Sequence, residues 1–221
     1  MTAWASQLIN LFATLILLLS FAMISQRRIV SLINLFAIQG LALVAASLLL
    51  PYVTHQPDLY VPGALTLVLK VVFIPWMLHR LIQRLNVRWD VETLLNIPTT
   101  MLVGIALVIF AFSLALPVSR LSDSIAGSSL GIALACVLLS FMMMITRSKA
   151  VPQVIGFLSM ENGLIFAATT VTNGMPMIVE FGIALDVLVG VLILGVFMFQ
   201  IREKFDSLDI HYLETLKDDP T

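Results

Sequence analysis

The sequence has little charge. Only 11% of its 221 residues are charged and 60% are hydrophobic, with a mean hydropathy of +1.04. A soluble domain carries about 25% charged residues, so this chain has too few to coat a water-facing surface and reads as an integral membrane protein. Cysteine is nearly absent. The single Cys136 excludes an internal disulfide and a cysteine-based metal cluster; in its apolar run it reads as a small lipid- or helix-facing residue. His55, His79 and His211 are scattered, without metal-ligand spacing. There is no glycine-rich phosphate loop and no nucleophile–base pair, so the sequence predicts no catalytic centre and no cofactor in this chain. A net charge of −1 argues against a nucleic-acid partner. The opening "MTAWASQLIN" lacks a basic stretch, so no cleavable signal peptide is predicted.

What the sequence does have is a series of long apolar runs. A helical span takes roughly 20 apolar residues, and runs of that kind fall at 4–24, 30–52, 61–82, 97–117, 127–146, 151–172 and 177–201. Pro51, "VPG" at 61–63, Pro98, Pro117 and "NGMP" at 173–176 punctuate their ends, because proline lacks the N–H and fixes φ. The expected fold is an all-α polytopic membrane protein of seven transmembrane helices.

The charges between the runs predict an orientation. Arg27 and Arg28 lie between spans one and two, Arg80, Arg84 and Arg88 between three and four, Arg147 and Lys149 between five and six, and Arg202 and Lys204 after span seven. The alternate loops hold His55 and Asp58, then Arg120 and Asp123, then neither Lys nor Arg. Short loops rich in Lys and Arg stay cytoplasmic. The N-terminus is therefore expected outside and the C-terminus inside.

Two segments beyond the spans have patterns of their own. In "RLIQRLNVRWDVETLLN" the residues Arg80, Arg84 and Arg88 recur four apart, with Leu81, Ile82, Leu85 and Trp89 largely on another face. That is the pattern of a short interfacial helix; a solvated continuation of span three is the other reading. The acidic tail "KFDSLDIHYLETLKDDPT" spaces Phe205, Leu208, Tyr212 and Leu216, as an arm laid on a partner protein or as a frayed end. "GSSLG" at 127–131 has the small-residue spacing that lets helices approach closely.

Three ionisable residues stand near the middle of spans: Lys70 in span three, Glu161 in span six and Asp186 in span seven. A charge at the bilayer centre costs about 2.5–3.5 kcal/mol on insertion scales, and such residues face a bundle interior or a wet cavity. Lys70 paired with one carboxylate as a structural ion pair is one reading, but it leaves the second carboxylate unexplained. A proton relay is the other, because intramembrane Asp, Glu and Lys chains are its usual parts. Gln39 in span two, Glu180 near the outer end of span seven and His79 near the end of span three are accessory candidates. Pro75 lies one turn beyond Lys70 and frees the carbonyl of Val71, which bends span three, admits water beside the lysine, or makes a packing kink.

A weak internal repeat aligns "RRIVSLINLFAIQGLALVAA" (27–46) with "KAVPQVIGFLSMENGLIFAA" (149–168) and sets Gln39 against Glu161. Spans one to three and five to seven then run in the same directions, a parallel repeat with span four as the link. The expected organisation is an N-terminal three-helix repeat at 1–85, a connector and linking helix at 86–126, a C-terminal three-helix repeat at 127–201 and a cytoplasmic tail at 202–221.

"SMENG" with Glu161, "VEFGIALDVLVGVLI" with Asp186, "LDIHYLETLKD" and "LKVVFIPWML" with Lys70 together resemble the hydrogenase-4 component E family, over essentially the whole chain. From about residue 127 the chain is also similar to the three-helix K subunit of respiratory complex I (NuoK) and its antiporter counterpart, in which two glutamates in consecutive spans carry a proton path. Glu161 matches the first, and Asp186 matches the second through an acid followed four residues later by glycine, here Gly190. The sequence departs from that pattern in having Asp for the second acid, and Gln39 and Lys70 in place of acids in the first half. The resemblance implies two NuoK-like repeats in a membrane-arm subunit of a group 4 [NiFe]-hydrogenase, a formate hydrogenlyase-type or complex I-related oxidoreductase assembly, in which redox centres lie in other subunits. Its implied location is a bacterial inner membrane, its implied partners are antiporter-like and NuoH-like membrane subunits and the lipid bilayer, and its implied proton relay is Glu161, Asp186 and Lys70. A component of a cation/proton antiporter and a scaffold subunit without its own proton path are the alternatives.

Overall fold

The computed structural model describes residues 3–54, 60–85, 96–121, 125–171, 181–193 and 195. Among these residues every regular element is a helix, with no strand, and 26–28, 96 and 147–149 lie outside the helices. The helices are α1 (Ala3–Ser25), α2 (Ile29–Thr54), α3 (Tyr60–Leu67), α4 (Ile74–Leu85), α5 (Ile97–Leu121), α6 (Ile125–Thr146), α7 (Ala150–Val171) and α8 (Phe181–Ile193). A π-helical turn, Val68–Phe73, joins α3 to α4 without a break, so the three make one span.

Six stretches are long and apolar enough to cross a membrane: Gln7–Ser25, Ile29–Leu49, Ala64–Gln83, Ile97–Pro117, Ser129–Thr146 and Ala150–Val171. They coincide with the first six expected spans. The seventh is described only as α8, which is shorter. Large apolar side chains such as Leu102, Ile109, Leu18 and Ile145 face outward. Water would penalise that surface by its exposed apolar area, whereas lipid tails would not.

α1 and α2 pack as neighbours, as do α6 and α7; α6 also lies on α1 and α5, and α7 on α2. The α3–π–α4 span packs on α2. Glycine sets the α6–α7 contact: a Cβ at Gly163 would stand 3.2 Å from Cys136 Cβ and 3.3 Å from the Ala133 carbonyl oxygen. Cys136 is accordingly helix-facing and fully buried. Glu161 is two residues before Gly163, about 160° round the helix axis, so close packing of α7 on α6 turns Glu161 toward the other side.

Burial divides the interior into three layers. One apolar cluster holds Met23, Ile24, Ile29, Leu32, Phe36, Met77, Leu78, Met143, Leu158 and Val189. A second holds Ile9, Ala13, Ile16, Leu43, Ala133, Cys136 and Phe166. Between them in register lie the buried polar residues Ser20, Gln39, Ser159, Glu161 and Asn162.

The structure bears on the reading of two segments. α4 continues to Leu85, so for residues 80–85 it agrees with the continuation of span three, one of the two readings of the basic segment. The Arg80 guanidinium lies 5.3 Å over the Trp76 ring, a cation–π contact at the end of the span. Residues 86–95, Glu180 and the tail from 196 lie outside the described residues. At Pro75 the local device is the π turn: the Ile74 N–H reaches the Leu69 carbonyl, one residue further back than in an α-helix.

Candidate functional site

The three charges that the sequence places on separate spans meet at one point. Lys70 Nζ lies 3.1 Å from Glu161 Oε1 and 3.3 Å from Asp186 Oδ1. Its shortest bond is to neither: it donates to Asn162 Oδ1 at 2.8 Å. Lys70 is 0% exposed, Glu161 3%, Asn162 0% and Asp186 1%. The lysine thus makes one hydrogen bond, to a neutral oxygen, and two ion pairs, to acidic ones.

Each partner is delivered by a different local feature. The π turn carries Lys70 within its six residues, and the extra residue in that turn changes the direction in which the side chain leaves the helix. α7 supplies Glu161 and Asn162 from adjacent positions. α8 supplies Asp186, and it approaches α7 at Gly182, where a Cβ would lie 2.5 Å from Ile165 Cδ1. No side chain larger than hydrogen fits there without moving Ile165.

Asn162 extends the centre away from the charges. Its Nδ2 donates to Gln39 Oε1 at 3.2 Å, Gln39 Nε2 donates to Ser20 Oγ at 2.8 Å, and Ser20 Oγ donates to the Ile16 carbonyl at 3.0 Å. An ammonium can only donate, so the orientation of both amides follows from Lys70. The chain is polarised from the lysine to α1. Every polar group in it has a partner, which a low-dielectric interior demands. The carboxylates are less well served: among the described residues none of the four oxygens of Glu161 and Asp186 has a hydrogen-bond partner, and Oε1 and Oδ1 meet the ammonium as ion pairs by distance alone.

Of the accessory candidates, Gln39 joins the network through Asn162. His79 does not; it is nine residues beyond Lys70, about 13 Å along the helix, and its Nδ1 lies 2.9 Å from the Pro75 carbonyl oxygen. Asn162 and Ser20 were not singled out in the sequence, because neutral polar residues are common in spans. Position alone, next to an intramembrane acid, was the available signal for Asn162.

A second buried cation lies at the end of the bundle. Arg147, only 2% exposed, donates through Nη2 to the Ile24 carbonyl at 2.6 Å and to the Met23 carbonyl at 3.3 Å. These belong to the last turn of α1, where carbonyls have no helical donor and the helix dipole is negative. Burial pulls the guanidinium's pKa down. Gln153 holds the Arg147 carbonyl at 2.7 Å. The contact sets the turn after α1 and the turn after α6 at the same end of the bundle.

No family model matches the chain, and no solved structure matches it. A Mycobacterium tuberculosis protein described as the uncharacterized protein Rv0085 is 35% identical over 129 residues, which is 58% of this chain and 59% of that protein. The match thus spans less than two thirds of either chain, and that relative's description names no activity.

Proposed function

We propose that this chain is a proton-handling membrane subunit, in which Glu161 and Asp186 take and release a proton under the influence of Lys70. The observation that carries the reading is the charge balance of the centre: two buried carboxylates share one buried ammonium. Fully ionised, it has one negative charge in excess, which is costly in a low-dielectric interior. A single proton shared by the two acids removes the excess. A lone structural ion pair needs one carboxylate, not two.

The resemblance to hydrogenase-4 component E supports a place in the membrane arm of a group 4 hydrogenase or complex I-related assembly, beside antiporter-like and NuoH-like subunits. Two further parts of the reading are the parallel repeat, α1–α2 with the α3–π–α4 span against α6–α7–α8, and the orientation with its basic turns in the cytoplasm. The α1–α2 and α6–α7 pairs, the α1–α6 and α2–α7 contacts and the outlying position of α5 support the first. The shared end of the two basic turns supports the second.

The test is the assembly purified with this chain and reconstituted in vesicles. A nickel–iron subunit in the preparation, with redox-linked proton movement lost in Glu161→Gln at normal assembly, is the expected result. Large antiporter-like subunits alone favour the cation/proton antiporter reading. Undiminished proton movement in both Glu161→Gln and Asp186→Asn overturns the proton-handling role and leaves a scaffold.

A further inference from the structure

We infer that the oxygens of Glu161, Asn162 and Asp186 form a binding site for a monovalent cation of ammonium size, in which the Lys70 ammonium is a tethered occupant. Three observations carry this. First, all three oxygens come from α7 and α8, at 2.8, 3.1 and 3.3 Å from one point, the position of Nζ. Lysine's own span contributes none of them, so the oxygen set is built without it. The distances suit an ammonium, an alkylammonium or potassium; sodium makes shorter contacts to oxygen.

Second, the neutral member is held in place independently of the lysine. Asn162 Nδ2 is bound to Gln39 and Gln39 to Ser20, so Asn162 Oδ1 stays aimed at the same point when the ammonium is removed. Third, the site has unused capacity. All four carboxylate oxygens of Glu161 and Asp186 are buried and without a hydrogen-bond partner among the described residues, and two carboxylates exceed one lysine in charge. A π turn is also the segment of a span where an alternative hydrogen-bond register is closest in energy, since it already departs from the i→i−4 ladder. Rewinding Val68–Phe73 by one residue carries the Lys70 side chain round the axis and vacates the point for a free cation.

This inference does not rest on proton movement. Cation binding without proton translocation sinks the proposed function alone, and the reverse result sinks this inference alone.

The test uses the full chain in lipid nanodiscs and reads its unfolding temperature at constant ionic strength. Ammonium, methylammonium and potassium chlorides are the probes, with choline chloride as the oversized control. In Lys70→Ala, ammonium and methylammonium at about ten times their Kd are expected to raise the unfolding temperature by roughly 3–5 °C, saturably. Wild type, with the site occupied, and Lys70→Met, with the space filled by an uncharged side chain, are expected not to respond beyond the choline control. Lys70→Ala combined with Asp186→Asn keeps one carboxylate and one missing cation, and gives the same reading if Lys70→Ala alone does not fold. Equal responses to choline and methylammonium, or no saturable response in either variant, overturn the proposal.

Discussion

Asn162 holds Lys70 more closely than either carboxylate does, 2.8 Å from Nζ against 3.1 Å for Glu161 and 3.3 Å for Asp186. The amide fixes the ammonium between two acids. Its replacement by leucine, which has similar volume, removes the acceptor for Lys70 and the donor for Gln39 at once. Leaving buried partners unsatisfied costs about 1–3 kcal/mol for each group, so Asn162→Leu is expected to lower stability by at least that much. Denaturant or thermal unfolding of the purified chain checks it, and a change under about 0.5 kcal/mol contradicts the network.

Neutralising an acid and neutralising the lysine are expected to have opposite consequences. Glu161→Gln takes the ionised centre from one excess negative charge to none and leaves Asp186 paired, so assembly and stability should hold at wild-type levels. Lys70→Ala takes it to two excess negative charges and breaks both pairs. Breaking a buried pair costs about 3–5 kcal/mol. Expression level and unfolding midpoint of the two variants, measured side by side, decide it; equal losses reject the charge-balance argument.

Pro75 is expected to act on Lys70 through the π turn. Pro75→Ala restores an N–H that can bond to the Val71 carbonyl and allows Val68–Phe73 to return to an α-helical register. One residue of register is about 100° round the axis, enough to take the lysine from its partners. The stability cost of Lys70→Ala should then be at least halved in the Pro75→Ala background, a non-additivity measured by a double-mutant cycle. Full additivity rejects the link.

Arg147 caps α1 from another part of the chain. Arg147→Gln is expected to cost about 1–3 kcal/mol, because the Met23 and Ile24 carbonyls lose a charged donor. Arg147→Lys should rescue only part of it, since an ammonium lacks the planar fork. Although burial pulls the guanidinium's pKa down, arginine stays protonated in proteins. The wild-type minus Arg147→Gln difference should therefore be flat between about pH 5 and 8. A slope in that interval contradicts this.

Orientation is tested with reporters. A periplasm-active enzyme fused after Thr221 should be inactive and one placed near Asp58 active, because the basic loops alternate. The opposite result at either site overturns the predicted topology.

Membrane character and the six described spans were legible in the sequence, because they depend on one-dimensional quantities: apolar run length, scarcity of charge, and proline at the ends. Lys70, Glu161 and Asp186 were legible for the same reason. A charge in an apolar run carries an insertion cost, and that cost marks it whatever surrounds it. That both acids share the one lysine was decided only by tertiary structure, since it depends on the π turn at Val68–Phe73 and on the close approach of α8 at Gly182. Asn162 and Ser20 carry no such mark, and their role exists only through the partners that packing brings to them. Arg147 shows the same division. Sequence read it as a loop charge that orients the chain, while the fold buries it against the end of α1, where the Ile24 and Met23 carbonyls accept from its guanidinium; that contact exists only because packing brings the turn after α6 to the end of α1.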